Sequence, residues 1–179
     1  MACSDFVHLR AHSAYSLCEG AIPVKNLVKL TAAQDMPALG LCDTDNLFGA
    51  LEFSAAALDA GIQPIIGCQL SIKLSNETQP ANRPMFEDGG IVLLAQTNDG
   101  YLNLLTLLKI AYMDSEDAQR PGVTLDELCA HAGDLIALSG GADGVLGRLI
   151  RMGKSGDANT FLDAMAAAFQ DRFYILDPK

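Results

Sequence analysis

The sequence predicts an α/β fold built on a parallel sheet. Short apolar runs alternate with amphipathic stretches along almost the whole chain. The runs are continuously apolar, which suits strands covered on both faces. The first two also end in ligand-type residues, His12 after residues 6–10 and Asp43 after residues 38–42. Polar groups delivered by successive strand ends point to one site above the C-terminal edge of a parallel sheet or barrel.

Taken in order, the strand candidates are residues 6–10, 38–42, 65–74, 91–95, 135–138 and 172–176. Between them lie helical patterns. Residues 22–34 place Leu27, Val28 and Leu30 on one face, and residues 48–60 place Leu51, Ala55 and Leu58 together. Residues 100–112 are rich in Leu, and 145–152 and 158–169 form a last pair. Gly61 is a helix stop, and Gln63-Pro64 leads into the next strand. Alternating β and α elements imply crossover helices. Six strands allow an open doubly wound sheet or most of a barrel, and sites on successive strand ends favour the barrel. Residues 75–90 read as a long surface loop and 114–122 as a shorter polar connection.

The chain has 179 residues, half of them apolar, and a net charge of −10. Such acidity disfavours a broad grip on nucleic-acid phosphates, which needs clustered Lys and Arg. Five cysteines, an odd number without a Cys-x-x-Cys, fit a reducing cytosol better than a disulfide scaffold. No signal peptide or membrane span is expected, so the predicted location is cytoplasmic.

Several short patterns bear on chemistry. His8 and His12 lie four apart, which on a regular strand puts both on one face with Arg10 between them. A guanidinium there opposes a divalent cation. It suits an anion, or a buried ion pair with Asp43 or Glu19. Asp43-Thr-Asp-Asn46 offers oxygen ligands without EF-hand spacing. There Asp43 is the site candidate, and Asp45 or Asn46 is a cap for a helix from Leu47. Residues 139–144 (SGGADG) read as a tight turn, and residues 147–155 miss the P-loop spacing by one residue. Arg148, Arg151 and Lys154 form a basic cluster read as solvated surface. His131, near a helix end, completes no Ser-His-Asp pattern.

Certain longer stretches are more specific. They are residues 6–21 (FVHLRAHSAYSLCEGA), 36–50 (MPALGLCDTDNLFGA) and 60–68 (AGIQPIIGC), supported by 93–105, 135–141 and 171–175. Through them the chain resembles the PHP (polymerase and histidinol phosphatase) domain at the N-terminus of bacterial DNA polymerase III alpha subunits. The resemblance covers essentially residues 1–179. It implies a distorted seven-stranded β/α barrel, of which about six strands are present here. The barrel and the polymerase core would continue beyond Lys179, so no catalytic residue falls in this segment.

Metal-binding members carry His-x-His, Asp-His and a third-strand Glu. At the matching places stand Arg10-Ala-His12, Asp43-Thr44 and Gln69. The resemblance therefore implies a vestigial site of His12, Glu19 and Asp43, with Arg10, Thr44 and Gln69 replacing expected ligands. No tightly bound metal is expected here, although the parent polymerase would use Mg. The implied partners are the proofreading exonuclease subunit and other holoenzyme subunits, with DNA met through the parent polymerase. A free-standing metal-dependent phosphoesterase would need the intact motifs. A small-molecule-binding domain would need a phosphate fingerprint, and none is present.

Overall fold

The structure is a computed structural model describing residues 6–73, 89–114 and 121–176. It divides into two compact units, residues 1–68 and 69–179. The mixed α/β class agrees with the sequence.

The first unit holds β1 (His8–Ala11), α1 (Val24–Ala33), β2 (Ala38–Thr44), α2 (Ala50–Asp59) and the start of β3 (Gln63–Lys73). β1 pairs with β2 in parallel, and β2 neighbours β3. The core joins Val24, Val28, Leu39, Leu41, Phe53, Ala57 and Ile62. α2 ends as expected at Gly61, in the left-handed region at φ 72°. Gly61 N donates to Leu58 O and Ile62 N to Ala57 O, the Schellman pattern that satisfies the last carbonyls.

α2 turns a different face inward from the one expected, whereas α1 keeps Val28 buried and Leu27 packed against the core as expected and leaves Leu30 exposed. α1 buries Val24, Val28 and Thr31. α2 buries Ala50, Phe53 and Ala57 and leaves Leu51 and Leu58 exposed. The reason lies in α2's composition. Apolar residues occupy most of its circumference, so two stripes compete. The stripe carrying Phe53 buries the larger side chain.

β1 is not a regular strand. Its register with β2 passes from His8↔Leu39 to Ala11↔Leu41, three residues against two. The extra residue is a β-bulge. Opposite it stands Gly40, where an added Cβ would lie 2.6 Å from the Leu9 carbonyl oxygen. The bulge breaks the period-2 argument that placed His8 and His12 on one face. His8 packs edge-on against Phe6, centroids 4.8 Å apart, while His12 turns toward the loop after β1.

The second unit contains the rest of β3, β4 (Gly89–Ala95), α3 (Asn98–Lys109), β5 (Val123–Thr124), α4 (Leu125–Ala130), β6 (Leu135–Leu138), α5 (Val145–Arg151), α6 (Ser155–Phe169) and β7 (Phe173–Tyr174). β3 neighbours β4, β4 pairs with β6, and β6 with β7, while β5 joins β3. The β4–β6 pairing is antiparallel, Val92 opposite Leu138 through Ala95 opposite Leu135. That corrects the expectation of parallel pairing throughout. Ile91–Leu94 and Leu135, Ala137 and Leu138 are buried. A strand buried on both faces reads the same in either direction.

β5 and α4 were not anticipated, although Thr124-x-x-Glu127 is a capping-box signature. The Thr124 side chain accepts from Glu127 N, and Glu127 Oε2 accepts from Thr124 N at 2.7 Å. Residues 139–144 form the expected tight turn, with Gly140 and Gly141 at φ 77° and 71°. The arginines of the following helix do more than face solvent. Arg148 Nε donates to Asp143 O at 2.8 Å and Arg151 to Ala142 O at 2.7 Å, closing the turn onto α5. Most of the expected 75–90 and 114–122 loops lies outside the described residues. Gly89 and Gly90 belong to β4.

Gly40→Ala tests the bulge. The new methyl meets fixed backbone, so chemical denaturation should register a loss of about 1–3 kcal/mol, the usual range for overpacking. An unchanged midpoint would mean the strands part without cost.

Candidate functional site

The candidate site lies wholly within the first unit, where the loop after β1 meets the end of β2. Asp43 is the penultimate residue of β2 and 2 % exposed. Its carboxylate accepts three hydrogen bonds. Ser13 donates its backbone N–H to Oδ1 at 2.7 Å and its hydroxyl to Oδ2 at 2.7 Å. The Ser16 hydroxyl donates to Oδ1 at 2.6 Å. Both serines are buried. A buried carboxylate is tolerable only when its oxygens are satisfied in this way.

The loop is folded to present those donors. Ser13 Oγ accepts from Tyr15 N at 3.1 Å, and Ser16 N donates to Ser13 O at 3.0 Å. Glu19 N and Gly20 N both donate to Ser16 O. Gly20 is required by proximity, because a Cβ there would sit 2.0 Å from Ser13 O. Ser16 Oγ also accepts from Thr44 N at 3.0 Å, tying the loop to β2 a second time.

His12 stands beside this network. Its Nδ1 is 3.4 Å from Ser16 Oγ and 3.7 Å from Glu19 Oε2. The single Ser16 hydroxyl hydrogen points at Asp43, so Ser16 can only accept from His12. The tautomer with a proton on Nδ1 serves both neighbours. Burial lowers the His12 pKa from its ordinary 6.5. Arg10 adds to that, while Glu19 and Asp43 oppose it. Glu19 also accepts from the Thr44 hydroxyl.

The structure thus brings His12, Glu19, Asp43 and Thr44 together. Arg10 is exposed on β1, where water screens its charge, and so it does not occupy the buried setting expected for it. Gln69 belongs to the second unit, where a Cβ on Gly90 would come within 3.3 Å of its side chain. The helix after Asp43 is not capped by Asp45 or Asn46. Gly49 occupies that position, and Asn46 Oδ1 instead accepts from Phe48 N at 3.1 Å in an Asx turn. No local pattern singles out Ser16, because a buried serine disturbs no periodicity. Among the described residues no group of three or more His, Cys, Asp or Glu could hold a metal ion. Burial pushes the Cys42 thiol up to about 12 and Cys68 upward as well, so both remain neutral thiols in the core.

This arrangement ties a loop to a strand. The serines take three of the carboxylate's acceptor positions, and both serine hydroxyls are shielded from solvent.

The family model for the PHP domain matches residues 8–176. The DNA polymerase III subunit alpha of Caulobacter vibrioides is 47 % identical over 170 residues, covering 95 % of this chain and 15 % of that protein. The same subunit of Vibrio cholerae is 34 % identical over 175 residues, 98 % of this chain and 14 % of the relative. That of Rickettsia bellii is 33 % identical over 171 residues, with 96 % and 14 % covered. The chain therefore spans about one-seventh of the length of these relatives. An amidohydrolase from Chromobacterium violaceum, solved with sulfate and no metal, shares the fold at a TM-score of 0.53 and 16 % identity, covering 97 % of this chain and 86 % of that one.

Asp43→Ala strands three donors in a buried place. Chemical denaturation should show a loss of about 2–5 kcal/mol, since orphaned groups cost roughly 1–3 kcal/mol each and do not add fully. A loss no larger than for an exposed substitution would contradict the role given to Asp43.

His12 makes stability depend on pH. Its folded pKa lies below 6.5, so the unfolded chain binds more protons between the two values. Stability should rise with pH across that window and level off above 6.5. Denaturation curves of His12→Asn over the same pH range should lose this slope. An unaltered slope would assign it to another group.

Proposed function

The chain belongs to the PHP domain family; on that premise we propose that it is the N-terminal PHP region of a bacterial DNA polymerase III alpha subunit, with a degenerate metal site and a structural and docking role. The observation that carries this reading is the 47 % identity to the Caulobacter subunit across 95 % of the chain. Polymerisation and its Mg belong to the parts of the parent protein that this segment does not span. The parent is a cytoplasmic DNA-directed DNA polymerase. Among the described residues no helix is long and apolar enough to cross a membrane.

The donor set does not fit a metal cluster. Arg10 and Thr44 stand where imidazoles would serve, and Gln69 where a carboxylate would. Asp43 already accepts three hydrogen bonds from the serines. The strand ends therefore keep the geometry of a site while hydrogen bonds do the holding. No phosphoesterase step is assigned to these residues.

Docking is the function left to such a domain. A net charge of −10 disfavours phosphate contacts and leaves protein surfaces as the natural partners. The partner proposed is the proofreading exonuclease subunit, within the larger polymerase assembly.

Two measurements test this together. The parent subunit lacking residues 1–179 should lose binding of its exonuclease subunit, and binding as tight as that of the intact parent would refute docking. Elemental analysis of protein purified without chelator should find less than one equivalent of zinc or manganese per PHP region. Two or more equivalents would restore the metal-site reading.

A further inference from the structure

α2 faces Phe53 inward and leaves an apolar group outside. Leu17 is 84 % exposed, Leu51 82 %, Phe48 75 % and Tyr15 43 %. They come from two adjoining segments, the loop after β1 and the entry to α2. The Tyr15 and Phe48 rings meet edge-on, centroids 6.4 Å apart. Both are held in place from beneath. Asn46 Nδ2 donates to Tyr15 O at 3.2 Å, while Asn46 Oδ1 accepts from Phe48 N. Gly49 lies under the Tyr15 ring, where a Cβ would approach to 3.1 Å. Large exposed side chains on a braced frame lose little conformational entropy on binding, the property that makes aromatic residues effective anchors.

The surrounding charge narrows the occupant. Within residues 6–68 acidic residues outnumber basic ones, with Glu19, Asp35, Asp43, Asp45, Glu52 and Asp59 against Arg10, Lys25 and Lys29. Glu52 sits directly at the patch, its Oε2 3.5 Å from the Tyr15 hydroxyl, and Glu19 follows Leu17 in the same loop. Single-stranded DNA could stack on the rings, but carboxylates beside them repel its phosphates. Anionic lipid is disfavoured for the same reason. A polypeptide with apolar anchors and Lys or Arg beside them fits both features.

We propose that Tyr15, Leu17, Phe48 and Leu51, with Glu52 at the edge, form the docking face for a basic, amphipathic segment of a partner protein. This rests on the docking role given above and assigns it a place and a chemistry.

The test uses the full-length parent subunit and its purified proofreading exonuclease subunit, with binding followed by surface plasmon resonance. Leu17→Ser with Phe48→Ser should weaken binding at least about tenfold, as loss of central anchors does. Glu52→Lys should weaken it separately, and circular dichroism melts should show all variants folded. Undiminished binding by both variants, with binding lost in the parent lacking residues 1–179, would overturn this face and leave docking intact. Undiminished binding by the truncated parent would overturn both. Tighter binding by Glu52→Lys would overturn the basic character of the segment. Hydrogen-exchange protection of residues 15–17 and 48–51 in the parent subunit alone would make the rest of the parent chain the occupant, and the proposal would fall.

Discussion

The buried carboxylate of Asp43 is the constraint on which the first unit depends. A carboxyl group 2 % exposed must find its hydrogen-bond partners within the protein. Meeting it fixes Ser13 and Ser16, which fixes the turns of the loop between them. Ser16 then reaches Thr44 N, so loop and strand are joined on both sides of one residue. His12 and Glu19 take their positions from the same loop. The result is an ordered cluster of ligand-type side chains whose order comes from hydrogen bonds alone.

Upstream, the β1 bulge sets what that loop receives. One extra residue opposite Gly40 turns the strand end and separates His8 from His12. Without it, His8, Arg10 and His12 would project from one face. With it, Arg10 is exposed, and His12 is the imidazole that meets Ser16 and Glu19. The serine–aspartate contacts preserve the strand-end geometry.

The second unit is stabilised by different means. β4 and β6 bury continuous apolar runs against one another, and local caps close its helices, as in the Thr124–Glu127 box. Arg172 donates to Ala132 O and Leu135 O at 2.8 and 2.7 Å while standing over the Phe169 ring, joining the segment before β7 to the start of β6. None of these contacts involves a buried carboxylate.

The sequence by itself determined the α/β class, the order of the major elements and the Gly61 stop, because periodicity and turn chemistry are local properties. It also marked Asp43 and His12, since a polar residue at the end of an apolar run is visible in one dimension. Tertiary structure decided the rest. The β1 bulge depends on a partner strand with Gly40 at the right register. The buried face of α2 was chosen between two apolar stripes by what Phe53 could fill. The antiparallel sense of β4 and β6 leaves no trace in strands buried on both sides. The partners of Asp43 come from residues thirty and twenty-seven positions away, a distance across which no local pattern reaches.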